Sequence, residues 1–124
     1  MGAAGIPLDD WYRLFLIPGM QNCQGTAFGA PYYIVSAPQP FELGQDVWSG
    51  SGFSDPKHGA LLALLGWREN GTAPESIIGT KFINETVTAG VRRQRSISMY
   101  PMQAKCRGKE DPDLAENWHC QLLY

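Results

Sequence analysis

Trp11-Tyr12-Arg13-Leu14-Phe15-Leu16-Ile17, closed by Pro18-Gly19, is the stretch that decides how the rest of this sequence is read. Aromatic and branched residues followed by a Pro-Gly turn signal predict a β-strand. Only Arg13 interrupts its apolar character, so both faces read as apolar, the pattern of a strand buried within a sheet. Such a strand needs a layer above it and a layer below it. The chain has 124 residues, enough for one modest core but not obviously for two covering layers.

Residues 1–10 read as a leader loop. After the strand, residues 18–54 hold much of the Gly, Pro and Ser and show no periodicity; Tyr32-Tyr33-Ile34-Val35 is the one short strand candidate. A loop of that length is uncommon inside a compact domain unless it is functional or lies against something larger. Asp55-Pro56 then predicts a helix start, with Asp as N-cap and Pro in the first turn. Leu61, Leu64, Leu65 and Arg68 share one face, and Asn70-Gly71 followed by Pro74 ends the helix. Ser76–Ile83 and Val91–Tyr100 read as two extended segments able to pair through the 84–90 connection. The tail reads as loop, with at most one helical turn around Leu114–Asn117.

Composition narrows the function classes. Hydrophobic residues make up 44% and charged residues 18%, a globular balance. A formal charge of -2 and a pI near 5.6 favour neither nucleic acid nor an anionic membrane. Arg92, Arg93 and Arg95 form the one basic cluster and read as a solvated face. The longest apolar run, residues 60–65, is far below the roughly 20 residues a bilayer requires. Neither a secretory leader nor a myristoylation pattern is expected at the N-terminus.

Residue chemistry offers little catalysis. Ser49-Gly50-Ser51-Gly52 lacks the first glycine of a nucleophile elbow and the flanking strand and helix, so it reads as a flexible loop. His58 reads as a surface or capping residue at the helix start. His119 and Cys120 are adjacent and point to opposite faces of an extended chain. With Cys23 and Cys106 they show none of the C-x-x-C spacing of a zinc site, so no metal and no cofactor is expected.

The order of segments carries further. Trp11–Met20, then His58-Gly59-Ala60-Leu61-Leu62-Ala63-Leu64-Leu65-Gly66-Trp67-Arg68-Glu69-Asn70-Gly71-Thr72-Ala73-Pro74, then Ile78-Gly79-Thr80-Lys81 with Arg93-Gln94-Arg95 and Tyr100-Pro101, and finally Gly108 through Asp113-Leu114-Ala115-Glu116-Asn117-Trp118 to Cys120 together resemble the C-terminal end of the tannase and feruloyl esterase family. The resemblance covers nearly all of residues 11–124, which it makes one partial domain. It implies an α/β fold, the C-terminal fragment of an α/β-hydrolase: buried strand, long loop, amphipathic helix, extended hairpin-like segments and loop-rich tail.

The resemblance also implies chemistry. The family cleaves esters of phenolic acids with a Ser–Asp–His triad, and its turn after the strand runs Pro-Gly-Met-Gly-His-Cys. Here that turn is Pro18-Gly19-Met20-Gln21-Asn22-Cys23, so Asn22 stands at the triad histidine position. A carboxamide has no basic nitrogen with which to shuttle a proton. Loss of the base alone typically costs on the order of a million-fold in turnover. Cys23 matches a family cysteine whose disulfide partner precedes the serine, so its expected partner is an N-terminal esterase chain.

Ser98 stands where the family usually has a cysteine paired to its last one. Cys106 could take that place and bridge to Cys120, closing a loop worth roughly 3 kcal/mol; two free thiols are the other reading. Asn70-Gly71-Thr72 and Asn84-Glu85-Thr86 are glycosylation sequons, expected to stay bare without a leader. The family is typically secreted, so the compartment stays open between secretion and the cytoplasm. A phenolic ester is the small molecule the resemblance implies. A non-catalytic module binding aromatic ligands through Trp11, Trp48, Trp67 and Tyr32-Tyr33 is the rival expectation, and the C-terminal chain of a split esterase is another.

Overall fold

The structure is a computed structural model, and it describes residue 5, residues 7–18, residue 34 and residues 54–123. Within them lie one α-helix, α1 (Ala60–Asn70), and four strands: β1 (Ser76–Phe82), β2 (Val91–Ser98), β3 (Met102–Cys106) and β4 (Trp118–Leu122). The mixed helix and strand content agrees with the expected α/β class.

β1 and β2 form the antiparallel pair that the two extended segments predict, with Ile77 opposite Ile97 and Gly79 opposite Arg95. A register shift between Lys81 and Phe82 sets Phe82 opposite Val91. The connection folds as two short 3-10 turns, Ile83–Glu85 and Val87–Ala89. Asn84 adopts a left-handed conformation at φ 50°, a region that asparagine tolerates better than most residues. The turn closes where the Ile83 amide donates to the Gly90 carbonyl at 3.0 Å.

Ile77 and Ile97 project to one side of this pair and form a buried cluster with Ile34, flanked by Phe15, Ile17 and Ala60. Phe82, the largest fully buried side chain among the described residues, is 1% exposed. Five apolar residues are buried among those described: Ile34, Ala63, Ile77, Phe82 and Ile97. That is a small core.

The tail is not loop. β3 and β4 pair antiparallel, with Ala104 opposite Cys120 and Cys106 opposite Trp118. Alternation of half-buried and exposed residues along Met102–Cys106 is the period-2 signature of a strand with one wet face. The predicted helical turn is present as a 3-10 turn at Ala115–Asn117. The loop between the strands is internally bonded: the Asp113 amide donates to the Asp111 carboxylate at 2.9 Å, and the Trp118 indole donates to the Pro112 carbonyl at 3.0 Å.

Two further expectations are corrected. Residues 11–17 do not form a strand buried on both faces. The segment touches β2 through one bridge, Phe15 to Met99, and through the Tyr100 amide donating to the Leu14 carbonyl at 2.7 Å. Phe15 and Ile17 are half-buried, whereas Leu14 and Leu16 are exposed, Leu16 to 62%. α1 starts at Ala60 rather than at Asp55, because Gly59 is extended (φ −150°, ψ 128°) and serves as N-cap. The face of α1 that is buried carries Ala63, while Leu61, Leu64 and Leu65 are 47%, 56% and 44% exposed. The expected helix end is present: Gly71 is left-handed at φ 70° and its amide donates to the Trp67 carbonyl at 2.9 Å, the C-terminal geometry that glycine makes inexpensive.

Candidate functional site

Asn22, Cys23, Ser51, Trp48 and Tyr32-Tyr33 lie outside the described residues, so the turn expected to hold the triad position is known from sequence alone. The chemistry-bearing groups that are described fall into three places.

The first precedes α1. Asp55 folds the chain into a tight turn in which its carboxylate accepts from the Lys57 amide at 2.8 Å and its carbonyl accepts from the His58 amide at 3.2 Å. Asp55 thus organises a side-chain-closed turn rather than capping a helix, a competition open to every Asp ahead of a helix. The His58 ring is 14% exposed and lies over the Asp55 carboxylate, with Nδ1 at 2.8 and 2.9 Å from its two oxygens. A carboxylate can only accept, so Nδ1 carries the proton. His58 is therefore half of an Asp–His pair and not an exposed capping residue.

Burial pushes the Asp55 carboxyl up, but the hydrogen bond and charge of His58 and the neighbouring amides outweigh it, and the group titrates below its ordinary value of 3.8. A carboxyl depressed in the folded state contributes stability that is present above the unfolded value and lost as pH falls through the folded one. The expected outcome is that Asp55→Asn lowers the urea midpoint at about pH 5 and that its gap to the native chain narrows below about pH 3.8, checked by urea melts across that range. A gap that stays constant would remove the ionic role of Asp55.

The second place is the junction of the two sheets. Arg93 and Arg95 lie on one side of β2, both half-buried, with guanidinium nitrogens 3.5 and 4.0 Å from one Asp113 carboxylate oxygen. The Asp113 carbonyl accepts from the Gln94 amide at 2.8 Å. The Arg95 guanidinium also lies over the Trp118 ring, 5.1 Å from its centroid. The arginines expected on a solvated face therefore clamp the tail sheet to β2, with Arg92 alone left exposed. The cleft beside them, about 560 Å³, is lined among others by Leu16, Pro18, Arg95, Tyr100, Trp118 and Leu123. Sequence reasoning did not find this cleft, because Trp118 reaches it only through the unexpected β3–β4 pairing.

The third place holds the cysteines. Cys106 and Cys120 are both free, so of the two readings left open by the sequence the structure has free thiols and no bridge between them. The ladder explains it: Cys106 faces Trp118 and Cys120 faces Ala104, which makes the two cysteines diagonal neighbours, a separation too long for a disulfide without backbone movement. Cys106 Sγ instead lies 3.7 Å from the Glu110 carbonyl, and Cys120 Sγ is in direct contact with Ser98 Oγ. His119 stands opposite Lys105. Among the described residues no group of three His, Cys, Asp or Glu side chains could hold a metal ion, and no helix is long and apolar enough to cross a membrane. The sequon residues Asn70 and Asn84 are both exposed.

This combination of a helix ended by Asn-Gly, a β-pair leading into a Tyr-Pro turn and a closing cysteine strand has counterparts among esterases. The family model for tannase and feruloyl esterase matches residues 1–121, and the chain belongs to that family. It is 32% identical over 114 residues to an uncharacterized esterase of Xanthomonas campestris pv. campestris, covering 89% of this chain and 17% of that protein. It is 32% identical over 122 residues to the "Probable feruloyl esterase B-2" of Neosartorya fischeri, covering 97% of this chain and 20% of that protein. The crystal structure of an esterase from Aspergillus oryzae overlays on 92% of this chain and 20% of its own, at TM-score 0.67 and 31% identity. The structure of feruloyl esterase B from the same organism overlays to the same extent at TM-score 0.61 and 25% identity. The chain thus spans about a fifth of the length of the curated relatives it matches.

Proposed function

We propose that these 124 residues are the C-terminal part of an α/β-hydrolase serine esterase acting on phenolic-acid esters, and that by themselves they do not hydrolyse esters. Family membership supports the esterase origin. The observation that carries the lack of activity is the turn Pro18-Gly19-Met20-Gln21-Asn22-Cys23, in which a carboxamide takes the place of the proton-shuttling imidazole. The Asp55–His58 pair does not replace it on this reading. His58 stands just ahead of α1, and its Nδ1 is engaged by a carboxylate only three residues away in the same local turn.

The reading is tested by incubating the purified chain with methyl ferulate, methyl gallate and a nitrophenyl ester. The expected result is turnover indistinguishable from buffer; release of ferulate or gallate above that level overturns it. The cleft flanked by Arg95, Tyr100 and Trp118 favours a second reading, a non-catalytic site for aromatic ligands. It predicts quenching of tryptophan emission when ferulate is added to the same samples, and no response at millimolar ligand removes it.

A further inference from the structure

The cleft at the junction of the two sheets combines apolar walls with cationic groups. Leu16, Tyr100 and Leu123 line it and are all exposed, so an apolar body entering the cleft would take their surface out of water. Arg93 and Arg95 line it as well, and among the described residues no carboxylate does.

Asp113 holds these arginines at ion-pair rather than hydrogen-bond distance. One of its carboxylate oxygens stands 3.5 Å from Arg93 Nε and 4.0 Å from Arg95 Nη2, against roughly 2.7–2.9 Å for a charge-assisted hydrogen bond. Arg93 Nε is buried and makes no hydrogen bond, a costly state for a cationic donor. The Arg95 guanidinium lies over the Trp118 ring, 5.1 Å from its centroid, so the positive charge is set directly beside an aromatic wall.

Such a cleft recognises an anion with a flat apolar body. Its volume of about 560 Å³ is within the range of small-molecule sites. A carboxylate offers two acceptor oxygens to a planar guanidinium fork, and a ring offers a flat surface to Tyr100 and Trp118. A neutral ester offers the ring without the charge.

We propose that this cleft binds a small aromatic carboxylate, its anion on Arg93 and Arg95 and its ring against Tyr100 and Trp118. The inference rests on the aromatic-ligand reading above and names the anionic acid, rather than an ester, as the ligand. The test titrates the full chain by isothermal calorimetry with trans-cinnamate, methyl cinnamate and acetate. Cinnamate is expected to bind at least about tenfold more tightly than its methyl ester, the share that a hydrogen bond to a charged group contributes. Acetate, which has no ring, is expected to give no heat at millimolar concentration. Asp113→Asn removes the competing carboxylate and keeps the backbone carbonyl that accepts from the Gln94 amide. It is expected to tighten cinnamate by about threefold or more and to leave methyl cinnamate unchanged, a gain that unfolding cannot produce. Tyr100→Ala, at an exposed side chain, is expected to weaken acid and ester alike.

Equal affinity for acid and ester overturns the proposal and leaves the aromatic-ligand reading standing. Acetate binding as tightly as cinnamate overturns it too, as does an Asp113→Asn chain that melts cooperatively yet binds cinnamate no better. No binding of acid or ester at millimolar ligand, or binding that Tyr100→Ala leaves untouched, removes both readings. If Asp113→Asn does not fold, the ratio of acid to ester affinity in the native chain decides alone.

Discussion

Replacing Phe82 by alanine is expected to remove most of the stability of the described fold. Phe82 is 1% exposed and is the largest fully buried side chain among the described residues. Phe→Ala substitutions at such sites cost about 3–5 kcal/mol, the lost transfer energy plus the cavity left behind. Folded domains hold roughly 5–15 kcal/mol in all, so a loss of this size is a large share of the total. Phe82 also stands at the register shift of β1, where the ladder alone holds the strand less firmly. Urea melts followed by circular dichroism should show a Phe82→Ala midpoint less than half the native one. Val91, its exposed strand partner, provides the control: Val91→Ala is expected to cost under about 1 kcal/mol. Equal effects at the two positions would show that Phe82 is not the anchor of this pair.

The second large effect is a gain. Ser98→Cys is expected to create a disulfide with Cys120, because Ser98 Oγ and Cys120 Sγ already touch and Ser98 is buried on β2. Closing the loop from residue 98 to residue 120 is worth about 3 kcal/mol in the chain-entropy account, and for a domain of this size that raises the melting temperature by roughly 10–15 °C. The measurement is a thermal melt of oxidised Ser98→Cys with and without dithiothreitol, alongside mass spectrometry for the loss of two hydrogens. Cys106→Ser in the same background should leave the gain untouched, since Cys106 lies against Glu110 rather than against Cys120. A variant whose melt ignores reductant would show that Ser98 of β2 and Cys120 of β4 are not held against each other.

Much of this architecture is visible in the residues, and the failures have physical causes. β1 and β2 are legible because each is rich in β-formers and the 84–90 connection is short. The end of α1 is legible because Asn70-Gly71 offers a left-handed terminus and Pro74 forbids resumption. Its start is not, because Asp55-Pro56 specifies a closed turn as readily as an N-cap, and only the extended Gly59 decides between them. The leucine stripe is a correct periodicity, but spacing names a face and not what covers it. β3 and β4 escape because each is five residues long and places Lys105 or His119 amid apolar neighbours, so their strand character comes from pairing with each other.

The candidate site is less legible than the fold. Asn22 and Cys23 are identified by the order of segments around them and lie outside the described residues. The Asp55–His58 pair and the Arg93, Arg95, Asp113 cluster were both in plain view as residue types, but their roles depend on distances that spacing does not encode.

Asp113 has one more consequence. Its carbonyl and carboxylate are both committed to β2, and Asp111 just before it is committed to Asp113 and to Asn117. The hairpin that bears them is therefore anchored to β2 through one limb, while the other is held by bonds of its own, the Gly108 amide to the Cys106 carbonyl at 3.1 Å and the Glu110 amide to the Arg107 carbonyl at 3.2 Å. Residues 111–117 cannot change length without releasing the clamp, whereas exposed Gly108, Lys109 and Glu110 on the other limb face outward. That short rim is where an inserted epitope or affinity tag would be accommodated with least disturbance.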